Sequence, residues 1–109
     1  MLGMMFPLVV ELPDVAGKYR GSIGPYPVAM LLKQRGDTLV GAYRYMRRKE
    51  DLVLDGRVAN DGTVTLRELG RHRTPSGTFR GQYRKGRIEG TFTRLSDRRT
   101  FSFRLSKTQ

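Results

Sequence analysis

Residues 78–92 read Thr-Phe-Arg-Gly-Gln-Tyr-Arg-Lys-Gly-Arg-Ile-Glu-Gly-Thr-Phe, and the fold turns on them. Phe79, Gly81 and Tyr83 alternate with Arg80, Gln82 and Arg84; after Lys85-Gly86, Ile88, Gly90 and Phe92 alternate with Arg87, Glu89 and Thr91. A period of two with one apolar and one polar face marks antiparallel strands packed on one side only. A Lys-Gly pair between two such runs predicts a hairpin, because glycine takes the positive φ that tight turns require. Phe101, Phe103 and Leu105 carry the same apolar face into a third strand.

The same pattern extends upstream. Alternating runs are expected at Tyr19–Ile23, Val28–Lys33, Thr38–Met46, Leu52–Val58, Thr63–Leu69, Thr78–Arg84, Arg87–Leu95 and Thr100–Ser106. Turn signals separate them, at the spacing of about 8–12 residues expected of sandwiches and barrels. Asn60-Asp-Gly62 is the clearest of these, and the longest loop, Gly70–Gly77, carries the only histidine. No window keeps helical spacing for three turns with a cap.

One unit recurs: an apolar residue, any residue, glycine, any residue, an apolar residue. It appears as Tyr19-Gly21-Ile23, Leu39-Gly41-Tyr43, Leu54-Gly56-Val58, Phe79-Gly81-Tyr83 and Ile88-Gly90-Phe92. Mid-strand glycine on the inward face weakens a flat sheet, but it relieves crowding where strands bend to close a small barrel. The expected fold is therefore all-β: a single antiparallel up-and-down meander of about eight strands closed into a small barrel over residues 17–109, with little or no helix. Residues 1–16 open on MLGMMFPLVV, apolar and uncharged, read as an arm crossing one end of the barrel or as the remnant of a signal peptide. An apolar run of that length falls short of the roughly 20 residues that span a bilayer as a helix.

Tyr19–Leu32, Gly41–Tyr45 and Gly62–Glu68 together resemble small bacterial lipocalin-like or avidin-like β-barrel domains. The resemblance covers most of residues 17–107 and lies in strand-and-turn patterning, so it implies the fold and no particular activity. It also points to a bacterial cell envelope or periplasm, with the cytoplasm left open. The chain has no tryptophan, so the walls of a biotin pocket and the Gly-x-Trp start of lipocalins are missing.

Composition narrows the chemistry. The 109 residues suit one domain with its own core, and the absence of cysteine excludes disulfides and thiolate metal sites. Acid–base catalysis needs paired groups in different environments. Here Asp37, Asp61 and Asp97 fall in turns, while Asp55, Glu68 and Glu89 are expected to face outward on strands. His72 stands alone, so no metal set forms, no cofactor is implied, and the chain does not read as an enzyme.

The remaining signal is charge. Lys and Arg number 21 against ten acids, for a net +11, and arginine predominates. Arginine forks match carboxylate and phosphate groups. In an up-and-down meander alternate turns gather at one end, and the end with the longer loops presents Arg47, Arg48, Lys49, Arg71, His72, Arg73, Arg98 and Arg99 against Glu50, Asp51 and Asp97. These residues are the candidate site, for an anionic ligand, an envelope polymer or an acidic protein surface. Nucleic acid is the second reading, less favoured because no recognition motif is present. A calycin-like carrier of a small apolar ligand inside the barrel is the third.

Overall fold

The computed structural model describes residues 11–108, so the segment 1–10 expected to form most of the arm lies outside the described residues. Eight strands follow in chain order: β1 (Gly17–Ile23), β2 (Tyr26–Arg35), β3 (Thr38–Tyr45), β4 (Leu52–Val58), β5 (Thr63–Leu69), β6 (Pro75–Arg84), β7 (Arg87–Arg94) and β8 (Thr100–Lys107). Each pairs antiparallel with its neighbours in sequence, and β1 closes on β8 from Tyr19↔Lys107 to Ile23↔Phe103. The fold is an eight-stranded up-and-down barrel. Among the described residues the one helical turn is 3₁₀, at Arg71–Arg73.

Three strands start earlier than the pattern of turn residues suggests, β1 at Gly17 being the first. Gly24, at φ +55°, turns the chain within Gly24-Pro25, so Tyr26 and Pro27 already belong to β2. Pro27 lacks a donor but its carbonyl still accepts the Met46 N–H at 2.9 Å, which suits proline near a strand end. Pro75 opens β6 in the same way, opposite Leu69.

Aromatic side chains fill the lumen. Phe79 is fully buried, with the rings of Phe92, Phe103 and Tyr43 at centroid distances of 4.7, 5.2 and 5.3 Å. Leu32, Leu39, Leu54, Leu66, Ile88 and Leu105 pack around them. Burying each such side chain contributes about 1.5–3 kcal/mol. The interior is thus a packed core of the kind an eight-stranded barrel can hold, with rings where an apolar passenger would sit.

The repeated glycines mark where strands approach most closely. A Cβ built on Gly21 would fall on the Arg104 carbonyl, on Gly41 the Leu31 carbonyl, on Gly56 the Thr65 carbonyl, and on Gly90 the Arg80 carbonyl. Gly81 faces Gly90 across β6 and β7, and the Phe103 ring leans into the space that a Gly81 side chain would take. The glycines therefore admit backbone and rings, as barrel closure requires.

The end carrying the short turns is sealed by the chain itself. Val15 is fully buried, and its N–H donates to Gln34 Oε1 at 2.7 Å while Gln34 Nε2 donates to the Pro13 carbonyl at 3.0 Å. The Tyr19 hydroxyl donates to the Val15 carbonyl at 2.6 Å, and Lys107 Nζ donates to that of Asp14 at 2.8 Å. Residues 13–16 thus cross this end of the barrel.

Candidate anion-binding rim

The other end gathers four connections: Gly24-Pro25, residues 46–51, residues 70–74 and residues 95–99. All eight candidate side chains lie in three of these, and all eight are exposed. Arg47, Arg48 and Lys49 project from the β3–β4 loop, where the Arg48 N–H closes a turn on the Tyr45 carbonyl at 2.9 Å. Arg71, His72 and Arg73 form the 3₁₀ turn, tied at its base by Gly70 N–H to the Thr74 carbonyl at 2.8 Å. Arg98 and Arg99 end the β7–β8 loop.

Two of the three acids of this rim are engaged by strand residues, while Glu50 is exposed and makes no ion pair among the described residues. Asp97 receives a two-pronged bond from Arg94, at 2.7 and 3.0 Å, and also caps the Arg99 N–H at 3.1 Å. These bonds, Arg94's first, hold the Asp97 carboxyl down to about 2. Asp51 accepts from Arg44 Nε at 2.8 Å. Among the described residues Arg47, Arg48, Lys49, Arg71, Arg73, Arg98 and Arg99 make no ion pair. The rim therefore presents cations that the chain does not neutralise.

The backbone is unusual at the same place. His72, Arg73 and Arg98 sit at φ +58°, +58° and +60°, a left-handed region that side-chain-bearing residues seldom occupy. Such conformations cost about 1–3 kcal/mol each and gather at binding sites. Arg73, at the edge of the grouping, also borders a shallow depression on the outer wall with Leu31, Lys33, Val53 and Asp55.

Aromatic side chains close the mouth below the cations. Tyr26 and Tyr45 meet edge to face at 6.1 Å, Tyr45 meets Tyr43 at 5.6 Å, and the series continues through Phe79 into the core. Arg94 and Arg99 place their guanidinium groups 5.4 and 5.8 Å from the Phe101 ring centre. An anion at this end would lie on the rim, above rings that bar the lumen.

One acid is placed otherwise than expected. Glu68 points inward, 9 % exposed, where outward was anticipated. The alternation Val64, Leu66, Glu68 already carried the signal, since these three share one face of β5. Its carboxylate is fully partnered: the Tyr43 hydroxyl donates to Oε2, and Ser76 Oγ donates to Oε1 at 2.7 Å. At the register shift between Glu68 and Leu69 the alternation breaks, and Leu69 is buried as well.

Burial first, and then the bond to Glu68, push the Tyr43 phenol well above the ordinary tyrosine value; burial, Tyr83 and Asp14 do the same for Tyr19. Because the folded chain holds these protons when the unfolded chain has released them, stability falls as pH rises above about 10. Alkaline titration followed by both tyrosinate absorbance and circular dichroism should show Tyr19 and Tyr43 ionising only as β-structure is lost. Ionisation of all five tyrosines within an intact barrel would contradict their placement.

The fold and rim define a small closed β-barrel with a cation-rich loop end. No model of a known protein family matches the chain, and no curated protein matches it in sequence. Among the described residues no helix is long and apolar enough to cross a membrane, and no three His, Asp or Glu side chains gather as a metal site would need.

Proposed function

We propose that this barrel is a binding domain, not an enzyme, which takes an anionic ligand or acidic partner surface on its loop-end rim. The observation that carries this is the division of charge there: strand arginines occupy Asp51 and Asp97, and Glu50 alone is left to face the loop cations. We infer kinship with lipocalin-like or avidin-like domains at the level of architecture, with binding moved from the lumen to the rim. The ring-filled interior speaks against the apolar-carrier reading.

The test is titration of labelled inorganic polyphosphate by fluorescence anisotropy near physiological salt. Arg71→Glu, Arg98→Glu and Arg99→Glu together should weaken binding by about tenfold or more, since each reversal both removes an attraction and adds a repulsion. Arg73→Glu alone should do much less. Unchanged affinity in the triple variant would overturn the proposal.

A further inference from the structure

The charge of the outer wall is divided as unevenly as that of the rim. On the side of β3 to β5, arginines pair with acids: Arg44 with Asp51, Arg57 with Asp37 and Arg67 with Asp55, at 2.8 to 3.2 Å. On the side of β6, β7, β8 and β1, the outward side chains include Arg80, Arg84, Arg87, Arg104, Arg20 and Lys18, all exposed. Among the described residues none of these six makes an ion pair. Among the described residues Glu89, between Gln82 and Arg104, is the acid on these outward faces, and Asp61 of the β4–β5 turn borders the same depression as Arg80.

Register gives the cations an order. Arg84 faces Arg87 directly, Arg87 faces Ser106, and Ser106 faces Arg20. With strands about 4.8 Å apart, this row spans about 14 Å. A second row runs Arg80, Thr91, Ser102, about 14 Å further along the strands. Like charges directly opposed across a hairpin work against the sheet, and among the described residues no ion pair offsets the Arg84–Arg87 pair.

We propose that this wall is a second binding surface, independent of the rim, fitted to the phosphodiester backbone of duplex nucleic acid. Arginine forks match phosphate oxygens, and the hydroxyls and amide set between them are the types that hold phosphate and sugar. Of the rings on these strands, Tyr19, Phe79, Phe92 and Phe103 are buried, and the half-buried Tyr83 and Phe101 pack against the core with Lys107 and with Arg94 and Arg99 over them, so the outward face has no free platform on which unpaired bases stack. Duplex, whose bases stack on one another, is therefore the better match than single strand. The large apolar side chains exposed on the barrel, Tyr26, Leu31, Val40, Met46 and Val53, all lie off these four outward faces. Among the described residues the wall thus offers no large apolar side chain to insert among lipids. Recognition would read backbone charge and not base sequence.

The test measures duplex affinity against salt for the wild type and for Arg84→Gln, Arg87→Gln and Arg104→Gln combined. The wild-type slope of log K on log salt should be about −5, for five or six phosphates neutralised, and the variant should lose about three units of it. Relief of the Arg84–Arg87 repulsion predicts that the variant melts no lower than wild type. A second measurement uses the wild type alone: arginine modification by phenylglyoxal, read by mass spectrometry, should be blocked by duplex at Arg84, Arg87 and Arg104 and not at Arg71 or Arg98. An unchanged slope, protection confined to the rim, tighter binding of single strands, or equal binding to phosphatidylglycerol vesicles would each overturn the proposal. Rim binding of polyphosphate would stand in any of those cases.

Discussion

Alanine at Gly21 is expected to destabilise the barrel by about 3 kcal/mol or more, a large part of the roughly 5–15 kcal/mol that holds a domain of this size. The added methyl would fall on the Arg104 carbonyl, where β8 crosses close to β1 at the seam that closes the barrel. The carbonyl is backbone and cannot swing aside as a long side chain would, so relief requires parting the two strands. Gly90→Ala should behave alike, because its Cβ meets the Arg80 carbonyl and the Cα of Gly81. Gly36→Ala supplies the comparison. Nothing lies within 4 Å of its Cβ, and only the left-handed φ of +60° penalises a side chain, at about 1–2 kcal/mol. Urea unfolding of the three variants checks this order. An alanine at Gly21 as stable as wild type would mean that β1 and β8 do not close as described.

Tyr43→Phe should cost about 1.5–3 kcal/mol, because it removes a donor from a buried carboxylate. Glu68 Oε2 would be left bare while Ser76 still serves Oε1. Removing the carboxylate as well should restore much of the loss: Tyr43→Phe with Glu68→Met replaces a partnered polar pair by apolar groups of similar shape, which can be nearly neutral. Thermal melts of the single and double variants form a cycle that isolates this coupling. Additive losses would show that the two side chains do not support one another.

The fold was legible because its signals are local. Alternation from Phe79 to Phe92 sets the inward face, Lys85-Gly86 sets the hairpin, and the glycine of each repeat marks a place where strands crowd. The loops of the candidate rim could be assigned to one end from strand count alone, since a meander alternates ends. What local pattern does not convey is partnering across the barrel. That Asp51 and Asp97 belong to Arg44 and Arg94 depends on where loops fold back onto strands. Arg73 lies in the 3₁₀ turn of the rim yet also borders the depression on the outer wall, a neighbourhood set by tertiary structure. Glu68 was legible by period, but a carboxylate within a barrel is costly unless donors meet it, and its donors come from β3 and β6. The unpaired cationic wall emerges only when β1 is set beside β8, which places Arg20 in register with the hairpin arginines.

The most direct test of an anion site on the rim of a sealed barrel is a map of backbone amide shifts during titration with inorganic polyphosphate near physiological salt. Saturable shifts should concentrate at residues 47–49, 71–72 and 98–99, with Phe79, Phe92 and Phe103 in the lumen unmoved. Shifts centred on those three phenylalanines, or none that saturate on the rim, would contradict it.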